Sequence, residues 1–187
     1  MNTRWMPLAL VAVSLFPFAA QAQQALIPAQ SEVTFTSRQM GVPVDGKFKT
    51  FSAQVAFDPA KLATSKIAFT VDTGSADISR EANAELPKAV WFNAAQFPKA
   101  TFTSSSIKKL DATKYEVAGK LAIKGVSSDV VVPVTLAQNG ATTVASGAFP
   151  IKRLTFRIGE KEWADTSMVA DEVQVKFKIA LTGVPKL

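Results

Sequence analysis

The sequence predicts an all-β domain of about eight antiparallel strands. Apolar and polar residues alternate with a period of two over most of residues 32–181, which is the pattern of strands with one buried face. Turn signals separate the alternating runs, and Asn139-Gly140 is a strong hairpin signal. One segment, residues 79–95, breaks the pattern. Such a set of strands forms either a sandwich or a barrel, and the alternation does not distinguish the two.

The first 22 residues have the composition of a cleaved secretory signal. Arg4 precedes an apolar stretch at residues 7–20, and Ala20-Gln21-Ala22 fits the small-x-small pattern of signal peptidase sites. The stretch is shorter than the ~20 apolar residues of a membrane-spanning helix. We therefore expect cleavage after Ala22 and export of residues 23–187 as a single domain.

The alternation assigns an inward face to each strand in turn. Val33 and Phe35 share the first face. Phe48 and Phe51 have opposite parity, which predicts a bulge or bend near Thr50. The later inward faces lie, in chain order, within residues 51–57, 67–71, 100–102, 115–123, 130–136, 143–151, 154–158 and 173–181.

The segment at residues 79–95 predicts short helical structure. Ser79 is a suitable N-cap, and Pro87 either stops the first turn or begins a second short helix. On a later predicted strand, Gly119 stands between Val117 and Leu121 on one face. A small residue there predicts either free space or close packing against that position.

The composition excludes several kinds of chemistry. The chain has no cysteine and no histidine, which argues against disulfides, thiolate or imidazole metal sites and serine–histidine hydrolase triads. The formal net charge of +6 is spread as single lysines and arginines rather than in runs. This charge is typical of a solvated surface and compatible with weak attraction to anionic lipid headgroups. Nucleic acid is not an expected partner.

Six stretches resemble a known family in their order and spacing. They are Ser31–Thr36, Met40–Phe48, Phe57–Pro59, Trp91–Phe102 with its FPKATF block, Gly119–Val126 with its GKLAIKGV block, and Asp171–Val175. Together they resemble the YceI-like family of periplasmic polyisoprenoid-binding proteins over nearly the whole mature chain.

The resemblance implies a lipocalin-like, eight-stranded antiparallel β-barrel with the short helical segment, residues 79–95, over it. It also implies an elongated apolar pore that holds an isoprenoid chain. The family's Arg-x-Asp-Phe-Gly-Ile-Gly block occurs here at residues 153–159, with Thr155 in place of the acid and Arg157 in place of the first glycine.

The leading hypothesis is a periplasmic, non-catalytic carrier or reservoir for a long-chain isoprenoid lipid, either a quinone or a polyprenyl phosphate, without cofactor or metal. Transient contact with a membrane surface is compatible with it, and the sequence leaves open whether the protein is a monomer or a dimer. Candidate head-group contacts are Arg38, Arg80, Arg153 and Arg157. The candidate pore residues are Phe35, Phe48, Phe69, Phe92, Phe97, Phe102, Leu121, Phe149, Phe156, Val175 and Phe177.

Two alternatives remain open from the sequence. One is a stress-related or interaction module whose barrel is filled by its own side chains. The other is an enzyme acting on prenyl lipids, for which Asp72, Asp77 and Glu81 are candidate carboxylates. A perturbed carboxylate pKa inside the pore would favour the enzyme.

Overall fold

The computed structural model describes residues 24–187, which form one antiparallel sheet with little helix. The α-helix of this part of the chain is α1, Arg80–Glu85. The predicted signal at residues 1–22 lies outside the described residues. The strands are β1 Ala25–Leu26, β2 Glu32–Gln39, β3 Val42–Phe48, β4 Phe51–Ala56, β5 Lys66–Asp72, β6 Ala76–Asp77, β7 Lys99–Lys109, β8 Lys114–Ile123, β9 Val126–Asn139, β10 Thr142–Lys152 and β11 Glu172–Thr182.

The sheet closes into a barrel because one of its strands is bent. β3 pairs with β2 while β4 pairs with β5, and only Lys49 and Thr50 separate β3 from β4. The hydrogen-bonded order β4-β5-β7-β8-β9-β10-β11-β2-β3 therefore begins and ends on the same bent segment, residues 42–56. Counting that segment once and setting aside the two-residue β1 and β6 gives eight strands. The predicted eight-stranded barrel and the bend near Thr50 are both confirmed.

Tight hairpins connect several neighbouring strands. Met40 and Gly41 join β2 to β3, and Lys124 and Gly125 join β8 to β9, each pair with positive φ at both positions as a type I′ turn requires. Gly140 and Ala141 join β9 to β10, with Asn139 paired to Thr142, so the hairpin that the Asn-Gly signal predicted is also confirmed.

The barrel wall is not hydrogen-bonded along the whole length of β9. The ladder between β9 and β10 ends at Thr135 and Ser146, although both strands continue and stay paired to their other neighbours. Pro133 follows on β9 and has no N–H to donate, which accounts for the end of the ladder.

We call the end of the barrel at residues 183–187 the tail end, and polar side chains hold its backbone. Gln138 on β9 donates from Nε2 to the carbonyl oxygens of Val184 and Pro185, both at 3.2 Å, and accepts from the Leu187 amide at 3.2 Å. Gln24 likewise donates to the Phe57 carbonyl at 2.6 Å and accepts from the Phe57 amide at 3.0 Å.

We call the opposite end the cap end, because residues 86–97 and 153–164 cover it. Val90 accepts hydrogen bonds from the amides of Gly159 and Glu160, which ties the two covering segments together. Ser79 caps α1 as predicted, accepting from the Ala82 amide at 3.2 Å. Only the first part of the predicted helical segment is α-helix, because Pro87 cannot donate to continue it; the rest is a series of turns.

The prediction of a strand at residues 154–158 is wrong. The chain instead makes a 3-10 turn at Arg153–Phe156, which ends at Arg157 with a φ of 57°. That is the left-handed conformation, so a glycine in the resembling family at this position has a conformational reason. The Arg153 side chain, described below, holds this turn in place.

Candidate functional site

A cavity of about 190 Å³ runs inside the barrel. Each of the eight barrel strands contributes inward side chains to it, as the period-two pattern requires. Its lining is Val33, Ala53, Val55, Phe57, Ile67, Phe69, Val71, Ala100, Thr101, Phe102, Ile107, Tyr115, Val117, Leu121, Val132, Val134, Leu136, Thr143, Ala145, Phe149, Val175, Phe177, Ile179, Leu181 and Val184.

This lining is almost entirely apolar. Among the described residues that form it, none is charged, and only Thr101, Tyr115 and Thr143 carry a polar side-chain atom. The Thr143 hydroxyl oxygen accepts a hydrogen bond of 3.0 Å from Gln138. The Tyr115 hydroxyl is buried and has no hydrogen-bond partner among residues 24–187. A cavity of this kind can solvate hydrocarbon and offers nothing to balance a buried charge.

Six of the eleven candidate pore residues lie in the lining. They are Phe69, Phe102, Leu121, Phe149, Val175 and Phe177. The other five, Phe35, Phe48, Phe92, Phe97 and Phe156, lie elsewhere.

Those five residues take part in packing outside the cavity lining. The Phe48 ring packs against Phe35 and Phe92, with centroid distances of 5.3 and 6.0 Å. Phe97 lies under the β8–β9 turn, against Gly125. Phe156 is fully buried in the cap-end cluster with Ile123 and Ile158. The alternation predicts which side chains point into the barrel. It does not predict which of them line the cavity, because the cavity ends where the residues of the cap end begin to fill the barrel.

Gly119 marks close packing rather than free space. A methyl group built on it would lie 2.5 Å from the Thr103 carbonyl oxygen and 2.6 Å from the Phe102 ring. Gly147 has the same relation to Phe177, at 2.6 Å. In both places the outer edge of a lining phenylalanine ring lies against a glycine of the neighbouring strand, in space that a larger side chain would occupy.

Sequence reasoning missed most of the aliphatic lining. It selected mainly aromatic residues, whereas valines, isoleucines, leucines and alanines on the same faces contribute most of the lining side chains. It also missed Tyr115 and Thr143, two polar side chains on inward faces. The alternation could have identified both residues, since each is the first inward-facing position of an alternating run.

Arg153 is not available as a head-group contact. Its side chain is 2% exposed, and all five guanidinium N–H groups donate to backbone carbonyls, those of Ala170, Ile158, Gly159, Trp163 and Val169, at 2.6 to 3.0 Å. Burial lowers the pKa of this guanidinium, partly offset by the nearby Asp171. Arg153 therefore stabilises the backbone of the cap end, and the prediction that it contacts a lipid head group is wrong.

The other three candidate arginines are exposed. Arg38 donates to the Gly41 carbonyl at 3.2 Å, Arg80 begins α1, and Arg157 follows the 3-10 turn. None of them lines the cavity. The buried Lys124, which the sequence did not single out, donates to the Arg157 carbonyl and to Glu160 at 2.6 and 3.0 Å.

The candidate carboxylates make local hydrogen bonds outside the cavity. Asp72 accepts from the Gly74 amide, Asp77 from Asn83 and Glu81 from Ser79. The Asn83 hydrogen bond lowers the pKa of Asp77, the opposite of what a general acid at neutral pH requires. Within residues 24–187, no group of three carboxylates is placed to hold a metal ion, and no helix has the length and apolarity to cross a membrane.

Comparisons with known proteins agree with this architecture. A UPF0312 protein of Vibrio cholerae is 29% identical over 137 residues, covering 71% of this chain and 72% of the relative. The crystal structure of Burkholderia cenocepacia BcnA is 49% identical and superposes with a TM-score of 0.80, covering 83% of this chain and 98% of BcnA.

A more distant structure shares the fold alone. It is a polyisoprenoid binding domain from Saccharophagus degradans, 14% identical, with a TM-score of 0.68 over 86% of this chain and 98% of that domain. The YceI-like domain profile matches residues 25–181, which is most of the chain. The protein belongs to the YceI-like family.

Proposed function

We propose that this protein binds a long-chain isoprenoid lipid in the barrel cavity and carries or stores it in the periplasm. The observation that supports the proposal is the cavity itself, which is lined from every barrel strand by apolar side chains and contains no charge. Moving hydrocarbon from water into such a site is favourable by about 25 cal/mol per Å² of apolar area. An isoprenoid chain presents only such area along its length.

The lining also decides which part of the lipid enters. A phosphate head group would bring at least one negative charge, and no lining residue could balance it. Only the hydrocarbon of a polyprenyl phosphate would therefore enter, with its head outside, whereas an uncharged lipid can enter completely.

The role is proposed as non-catalytic and independent of any cofactor. Binding and release of a hydrocarbon chain need no acid, base or metal. The lining residues supply almost only apolar contact, and the candidate carboxylates are not among them. The polyisoprenoid-binding domain with the same fold favours the same ligand class.

A periplasmic carrier must collect its lipid from a membrane, and one surface suits a transient contact. Met40, Val42 and Met168 are exposed, by 72%, 63% and 45%. The Met40 amide donates to the Met168 carbonyl at 2.9 Å, so the β2–β3 turn and the 165–168 turn lie together. The signal sequence predicted at residues 1–22 would deliver the chain to the periplasm.

Native mass spectrometry of the protein exported by its own host tests the proposal. We expect a bound mass removed by organic solvent and identified in the extract as an isoprenoid lipid. A protein that emerges empty and takes up neither a prenylquinone nor a prenyl phosphate from detergent would contradict it.

A further inference from the structure

The Tyr115 hydroxyl is the polar feature of the cavity that folding leaves unsatisfied. Tyr115 begins β8 at the tail end, lines the cavity and is 1% exposed. Its ring packs edge-on against Phe57 with a centroid distance of 5.4 Å, and its hydroxyl has no partner. A buried hydroxyl without a hydrogen bond destabilises the folded protein, and phenylalanine would fill nearly the same space without that cost.

The protein's own groups do not relieve this cost. Thr143 already accepts from Gln138, and the Lys109 ammonium lies over the Tyr115 ring face, 5.7 Å from its centroid. An ordered water needs two to four polar partners, and the lining supplies only Thr101 and Thr143 besides Tyr115 itself.

The lining also fixes the charge of a suitable partner. A hydroxyl hydrogen at the end of an uncharged cavity suits a neutral acceptor, such as a carbonyl or ether oxygen. An ionised phosphate oxygen would need a buried cation, and the lining has none. The hydroxyl is buried by its neighbours, so a ligand oxygen reaches it only if the ring or those neighbours shift.

We infer that Tyr115 is a polar anchor for the cavity ligand: its hydroxyl donates a hydrogen bond to a neutral oxygen on the lipid at the tail end of the cavity. This rests on the proposed function and deepens it. The lipid enters with an uncharged oxygen-bearing group, and a pure hydrocarbon or a charged head group does not satisfy the site.

Two probe lipids separate the anchor from general hydrophobic binding. Geranylgeranylacetone carries one ketone on an isoprenoid chain, and squalene carries no oxygen. Tyr115→Phe should weaken ketone binding about 3- to 10-fold, the range for one lost neutral hydrogen bond, and leave squalene binding unchanged. Thr101→Val, which removes a hydroxyl from the face of β7 opposite Phe102, is the matched control and should leave both affinities as they are.

The chain has a single tyrosine, so a specific spectroscopic readout exists. Protein labelled with ¹³Cζ-tyrosine should give one resonance that shifts when geranylgeranylacetone binds and moves much less with squalene. The ligand-free Tyr115→Phe variant should melt at the wild-type temperature or above it, because the unsatisfied hydroxyl is gone.

The outcomes separate the two proposals. If the wild type binds both lipids and Tyr115→Phe weakens them equally, or neither, the anchor is wrong while the carrier proposal stands. If the wild type binds neither lipid, the carrier proposal fails and the anchor fails with it.

Discussion

The two ends of the barrel are closed by different chemistry. At the tail end, the neutral amides of Gln24 and Gln138 hold the backbone, and the cavity extends among residues of this end, including Tyr115, Leu181 and Val184. At the cap end, two buried cations hold the backbone instead.

Those cations, Arg153 and Lys124, donate to carbonyls around a cluster that does not line the cavity. The difference shows that this fold buries charged side chains beside the packed cap-end cluster and not beside the cavity. At the cap end, buried cations donate hydrogen bonds to the backbone around a packed cluster of side chains. At the tail end, where the cavity stays apolar, neutral amides donate those hydrogen bonds instead. Each of the following predictions breaks one part of this arrangement.

The largest effect is expected from Arg153→Met, which removes the donor for five backbone carbonyls at once. The free energy of unfolding should fall by about 3–5 kcal/mol, measured by urea denaturation. Arg157→Met, on the same turn but exposed, is the control and should change it by less than about 0.5 kcal/mol. Similar losses in both variants would show that Arg153 does not stabilise the backbone of the cap end.

A smaller effect is expected from the barrel wall. Gly119→Ala places a methyl group 2.5 Å from a backbone carbonyl, which cannot easily move. At Gly46, the three atoms nearest to an added methyl group belong to the side chains of Phe35 and Ile78, which shift more easily than backbone. We expect Gly119→Ala to lower the free energy of unfolding by about 1–3 kcal/mol and Gly46→Ala by less. The reverse order in chemical denaturation would contradict the close approach of the Thr103 carbonyl and the Phe102 ring to Gly119.

The amide hydrogen bonds of the tail end are expected to contribute less than those of the buried cations. Gln138→Ala should lower the free energy of unfolding by about 1–2 kcal/mol and speed hydrogen exchange at the Leu187 amide, which it binds. Gln54→Ala, on the outer face of β4, is the control and should change neither quantity. A loss as large as that of Arg153→Met would remove the contrast between the two ends.

The smallest effect concerns two turns, one at each end. Asp111 and Asp165 accept hydrogen bonds from following residues, and those bonds lower both pKa values. A lowered pKa in the folded state means stability that is present at neutral pH and lost as pH falls through that pKa, below about 4. Asp111→Asn and Asp165→Asn should each make stability fall less steeply as the pH drops below about 4. Stability profiles as steep as that of the wild type would show that Asp111 and Asp165 do not cause the loss of stability at low pH.

Much of the wall was predictable from sequence because it depends on local pattern. The alternation of Val173, Val175 and Phe177 sets which side chains face inward, and the parity change between Phe48 and Phe51 located the bend that closes the barrel. Barrel rather than sandwich came from the family resemblance, since both architectures use the same alternation.

The cap end was not predictable in the same way. Residues 154–158 alternate like a strand, but Arg153 reaches carbonyls up to 17 positions away, and such long-range bonds leave no periodic signal. The choice of Phe35 and Phe156 as pore residues failed for a related reason. Parity places a ring inside the barrel, but only the packing of the cap decides where the lumen stops.

The central claim is that the apolar cavity is the lipid site, and filling the cavity tests it most directly. Ala145 lines the cavity, whereas Ala137 on the neighbouring strand is exposed on the outer face. The measurement is the amount of isoprenoid lipid extracted per protein from wild type, Ala145→Phe and Ala137→Phe, each checked for a cooperative thermal transition. Ala53→Phe, at another lining position, supplies a second obstruction if Ala145→Phe does not fold.

The account predicts that Ala145→Phe folds and carries much less lipid, while Ala137→Phe carries the wild-type amount. Folded cavity variants that retain the full wild-type complement of lipid would contradict it.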